Sequence, residues 1–191
     1  MIPYGRQHIS EEDIAAVTAV LRSDFLTQGP AIERFEQKMA AYCGVPYALA
    51  VSNATAALHI GYQALGMAPG KRGWTSPNTF VASANGFLYC GGEVDFVDID
   101  AGTLNLSVAA LAEKLGAAAQ SGTLPHIVTP VHFGGQSCDM AAIHAFSQRY
   151  GFKVVEDASH AVGGSYRGEK VGACTYSDLA IFSFHPVKII T

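Results

Sequence analysis

The chain has 191 residues, 49% hydrophobic and 15% charged, with a net charge of -4. This composition suits one sizeable core, or part of a larger domain, and excludes a disordered chain. The acidic balance gives no reason to expect nucleic-acid or anionic-membrane binding.

In chain order, Ser10-Glu11-Glu12-Asp13 is a capped, acidic helix start, and the helix runs to about Arg22 with Ile14, Val17, Val20 and Leu21 on its apolar face. A loop over 26–30 leads to a second helix, with Ile32, Phe35 and Met39 inward, that ends near Gly44. An alternation then begins. Strands are expected at 47–51, 73–75, 94–97, 126–131, 153–156 and 179–184. Helices are expected between them at 55–65, 79–89, 107–118 and 140–150. Residues 165–171, turning at Gly168, read as a small hairpin. Strands alternating with helices indicate right-handed βαβ units, an α/β fold and a mostly parallel sheet. In such sheets a ligand sits beyond the carboxyl ends of the strands.

No apolar run approaches the ~18 residues of a membrane span. Residues 1–7 lack the apolar region of a secretory signal, so the expected location is the cytoplasm. Cys43, Cys90, Cys138 and Cys174 form no C-x-x-C and read as buried small hydrophobes in a reducing compartment. The histidines show no metal-ligand spacing, so no metal is expected.

The strand ends carry the chemistry. Ser52-Asn53-Ala54-Thr55-Ala56-Ala57 joins a strand to a helix; free amides there can hold a phosphate, or the segment is an ordinary N-cap. There is no G-x-G-x-x-G and no Walker pattern, which weakens dinucleotide and ATP readings. Asp157 ends an apolar strand, where it can pair with a protonated pyridine nitrogen or cap the next turn. Phe80 can stack on a flat ring or belong to the core. His160, three residues after Asp157, can bond a phenolic oxygen or be an ordinary loop histidine. Lys188 follows the apolar strand residues 179–184. A desolvated lysine amine can form a Schiff base, whereas a solvated one is only a loop residue. Ser183 alternates with Phe182 and Phe184 and can turn its hydroxyl to a phosphate. Together these residues meet every demand of pyridoxal 5'-phosphate (PLP): phosphate, ring nitrogen, ring face and aldehyde.

The order of these motifs resembles the DegT/DnrJ/EryC1/StrS family of PLP-dependent sugar aminotransferases, of fold type I. The matching pieces lie at 26–30, 52–59, 95–100, 130–132, 156–158 and 182–188. The stretch 74–85 is similar to one branch, which acts in pseudaminic acid biosynthesis. The resemblance implies that Lys188 holds the cofactor covalently and serves as general base and acid of a 1,3-proton shift. It implies that Asp157 holds the ring nitrogen, that Ala54, Thr55, Ala56 and Ser183 hold the phosphate, and that Phe80 stacks. His160 stands where many relatives carry glutamine. Tyr4 and Asp24-Phe25-Leu26-Thr27 would line the substrate side. The implied reaction moves an amino group from glutamate to a UDP-linked 4-keto-6-deoxy-N-acetylhexosamine, in a homodimer. Another nucleotide-sugar aminotransferase of the family, a non-catalytic remnant and a Rossmann oxidoreductase are the rivals.

The resemblance covers residues 1–191 as the N-terminal part of the PLP-binding domain. It implies a large domain truncated after the Schiff-base lysine, with a later strand and the small domain absent. Residues 47–51 and 179–184 are then expected to lack a strand between them, leaving backbone groups unpaired.

Overall fold

The structure is a computed structural model and describes residues 7–190; Tyr4 lies outside them. Helix α1 spans Glu11–Leu21. Ser10 accepts a hydrogen bond from the Asp13 amide while the Asp13 carboxylate accepts from the Ser10 amide, a capping box that satisfies two open donors. Its apolar face stays uncovered: Ile14, Val17 and Leu21 are all exposed. Helix α2, Pro30–Cys43, starts with proline at its first position and stops at Gly44, where φ is 73°.

The next elements are α3 (Ala54–Ala64), β1 (Arg72–Thr75), α4 (Ala82–Tyr89), β2 (Glu93–Phe96), α5 (Val108–Ser121) and β3 (Ile127–Thr129). After a 3-10 turn at Phe133–Gly135 come α6 (Met140–Tyr150), β4 (Lys153–Asp157), the hairpin β5 (Ser165–Tyr166) and β6 (Glu169–Lys170), and β7 (Leu179–Ile181). The main sheet has the order β2-β1-β3-β4-β7, and all its pairs are parallel. The expected α/β architecture is therefore present. The hairpin turns at Arg167 (φ 51°) and Gly168 (φ 86°), two left-handed positions of the kind that match the twist of paired strands.

Alternate residues of the strands feed two cores. Ile127, Val155 and Ile181 pack with Leu58 and Tyr62 of α3 and Phe87 of α4. Trp74, Val128 and Val154 pack with Leu111 and Leu115 of α5 and Ile143 of α6. Lys114 places its ammonium 4.9 Å above the Trp74 ring. Asp157 continues the parity of Val155 and so faces the α3/α4 layer, whereas Glu156 faces the α5/α6 layer.

Several expectations need correction: Ile32 and Phe35, expected inward on α2, are 41% and 39% exposed. Residues 47–51 form no strand; Tyr47 and Leu49 are 84% and 85% exposed. An apolar run becomes a strand only beside a partner, and no described strand pairs with it; the Ala50 amide instead donates to the Glu36 carboxylate at 2.8 Å. Helix α4 begins at Ala82, not Thr79, because the 76–80 segment stays non-helical. β7 ends at Ile181, and the chain through Ser183 to Lys188 is a loop.

Candidate active site

Beyond the carboxyl ends of β1, β3, β4 and β7 lies a set of linked polar groups. Its centre is Asp157, the last residue of β4 and 4% exposed. Its backbone is held by β3's extension: the Asp157 amide donates to the Pro130 carbonyl and the His132 amide to the Asp157 carbonyl. Its Oδ2 accepts from the Ser83 hydroxyl at 2.6 Å, and its Oδ1 from the Ser159 amide at 3.1 Å. Ser83 sits in the first turn of α4 and is itself fixed. Its carbonyl accepts from the Tyr62 hydroxyl at 3.0 Å, and its Oγ lies 2.7 Å from the Thr79 hydroxyl. Burial pushes the Tyr62 phenol far above its ordinary range, so it stays a donor. Helix α4 and the turn after β4 thus both donate to one carboxylate, and α3 braces α4 through Tyr62.

The Asp157–Ser159 bond forms a turn that carries His160. His160 Nε2 lies 2.9 Å from Lys188 Nζ. Burial, and then the Lys188 charge, hold the His160 pKa below its ordinary value, opposed by Asp157. The Lys188 amide donates to the His185 carbonyl, so the lysine rides on a closed turn. Ser183 is buried, and its Oγ accepts weakly from the His185 amide at 3.4 Å.

At the start of α3, Asn53 accepts from the Ala56 amide at 2.8 Å. The Ala56 amide is therefore engaged, while the Ala54 and Thr55 amides stand at the open end of the helix, where an anion is favoured. Phe80 precedes α4, three residues before Ser83, and is 69% exposed, so its ring is available. Asp24, Phe25, Leu26 and Thr27 form an exposed loop after α1. Among the described residues no hydrogen bond joins that loop to Asp157, His160 or Lys188.

Two features of the site carry no clear local mark in the sequence. Ser83 is one; a serine among the small and apolar residues of 82–89 was the available signal. The other is the buried pair behind Asp157. The Cys138 amide donates to His132 Nδ1, so Nε2 bears the hydrogen and donates to the Glu156 carboxylate at 2.7 Å. The Ser177 hydroxyl donates to the other Glu156 oxygen. Burial also pushes the Cys138 thiol up to about 12, which keeps it inert.

The arrangement suits PLP in its chemistry. Asp157 has two oxygens, each accepting one described bond, and so keeps acceptor capacity for a protonated ring nitrogen. The open α3 amides suit a phosphate, and Lys188 offers a primary amine.

Residues 7–191 match the DegT/DnrJ/EryC1/StrS aminotransferase family. The chain belongs to this family. It is 42% identical over 187 residues to the spore coat polysaccharide biosynthesis protein SpsC of Bacillus subtilis, covering 98% of this chain and 46% of that protein. It is 40% identical over 191 residues to a Campylobacter jejuni UDP-4-amino-4,6-dideoxy-N-acetyl-beta-L-altrosamine transaminase, covering 100% and 49%. Helicobacter pylori PseC, an aminotransferase involved in pseudaminic acid biosynthesis, superposes with a TM-score of 0.90 at 29% identity, covering 99% and 49%. The aminotransferase-family chain spans about half the length of the curated relatives it matches.

Proposed function

We propose that this chain is the cofactor-binding part of a PLP-dependent nucleotide-sugar aminotransferase. The substrate would be a UDP-linked 4-keto-6-deoxy-N-acetylhexosamine and the amino donor glutamate, as in pseudaminic acid synthesis. The observation that carries the reading is the link from Asp157, at the end of β4, through the turn to His160 and Lys188; the open start of α3 supports it with a place for an anion. Family membership and the named altrosamine transaminase support the reaction class and the sugar. A cytoplasmic homodimer is part of the same reading.

Bound PLP would supply an electron sink for the carbon that loses its proton. The chain's own residues do the rest. Asp157 orients the ring nitrogen and balances its charge from a buried position. Ala54, Thr55 and Ser183, with Ala56 ordering the first turn, seat the phosphate. Phe80 covers the ring face. Lys188 holds the cofactor and then moves a proton through its ε-amine. His160 stands beside that amine. Tyr4 and the loop Asp24 to Thr27 are assigned to the sugar side on the resemblance alone.

The test is the visible absorbance of the purified chain with PLP beside Lys188→Ala. A protein-bound band present in the chain and lost in the variant is expected. The same spectrum in both removes Lys188 from its role and the cofactor assignment with it. Amino transfer to UDP-4-keto-6-deoxy sugars, assayed in a protein of the relatives' full length, then separates this substrate from those of other family members.

A further inference from the structure

Lys188 and His160 meet directly, Nζ to Nε2, at 2.9 Å. An ammonium has three donors and no acceptor, so the contact requires an unprotonated Nε2. The ring hydrogen must then sit on Nδ1. With Lys188 as an ammonium, the contact fits one tautomer of His160.

The ring is held so that this nitrogen stays aimed at the lysine. Asp157 Oδ1 fixes the turn before it through the Ser159 amide, and the Ala161 amide donates to the Ala158 carbonyl. Phe133 meets the ring edge-on at 6.1 Å, and the Phe133 amide is pinned by Asn105 Oδ1 at 2.9 Å. Gly135 completes the enclosure. A Cβ there would lie 2.8 Å from the His160 carbonyl oxygen, and its φ is 88°, so glycine alone lets this loop close over the turn.

We propose that His160 is the resting acceptor of the Lys188 amine, a positioning residue that keeps the amine in the site whenever it is not covalently engaged. This rests on the reading of Lys188 as the covalent lysine. No bond is made or broken in the step: the neutral imidazole takes a hydrogen bond and later releases it. The charged groups acting on His160 are Lys188 and Asp157. Phe133, which meets the ring edge-on, and Gly135, which lies against the His160 carbonyl, carry no titratable group. Protonation of His160 would replace the acceptor with a second cation and break the contact. The low pKa produced by burial and by Lys188 keeps His160 neutral down to more acidic pH.

The experiment needs no cofactor, so it fails independently of the absorbance test. Histidine side chains of the cofactor-free chain are followed by nitrogen and carbon NMR across pH, with His160→Gln identifying the signal. The Nδ1–H tautomer is expected, with a pKa below the ordinary 6.5. Lys188→Met should raise that pKa and shift the tautomer balance towards Nε2–H. Lys188→Arg, which keeps a cation, should retain the low pKa and guards against a misfolding artefact in the Met variant. A His160 that titrates identically in the chain and in Lys188→Met overturns the proposal. A low pKa accompanied by the Nε2–H tautomer overturns it equally.

Discussion

Asp157 divides its work between two oxygens. Oδ2 is tied to α4 through Ser83, and Oδ1 shapes the turn that delivers His160 to Lys188. Ser83→Ala should leave that buried carboxylate short of a donor. That bond is present without cofactor, so its loss should cost the fold about 1.5–3 kcal/mol, the worth of a hydrogen bond to a charged group. Urea denaturation reads it, and an unchanged midpoint removes Ser83 from its role. His160 gives a pH prediction. Its folded pKa lies below the ordinary 6.5, so the unfolded chain binds its proton first as pH falls. The fold should therefore lose stability on acidification from about 6.5 down to the folded pKa, and level off below it for this group. In His160→Gln that component should vanish from urea midpoints measured against pH.

At the scale of elements, helix α4 is pressed onto β1. Phe87 is fully buried and stacks on Tyr62 at 4.1 Å between centroids. A Cβ on Gly73 of β1 would lie 2.3 Å from the Phe87 ring. The ring has no room to retreat, so Gly73→Ala should cost about 1–3 kcal/mol, the usual penalty of overpacking; urea denaturation would show it. This packing was invisible in the sequence, where Gly73 is one glycine of 20. The α/β alternation was legible because helical and strand periods leave different apolar spacings, and the caps at Ser10, Gly44 and Gly168 marked their boundaries. Asp157, His160, Ser183 and Lys188 were legible as polar residues following apolar strands. Ser83 was not, since nothing local distinguishes a serine that serves a carboxylate 74 residues away. The 47–51 segment misled for the opposite reason: its apolar content is strand-like, but pairing depends on a neighbour that local sequence does not specify.

Across the whole molecule, the two cores leave unequal protection. β3 and β4 lie inside the sheet, while 47–51 has no ladder and β7 is an edge among the described strands. Hydrogen exchange should be slow at Val154 and Val155 and fast at Tyr47, Leu49 and Val51. Strong protection at 47–51 in the isolated chain would contradict the arrangement described. The exposed Tyr47, Leu49, Ile14, Val17 and Leu21 also leave much apolar surface facing solvent.

Trp74 is the single tryptophan of the chain, 1% exposed, on a strand flanked by β2 and β3. The fold thereby contains its own optical gauge. Indole emission will report the opening of the sheet's interior and stay blind to fraying of α1. The Lys114 ammonium above the ring makes that signal sensitive also to the seating of α5.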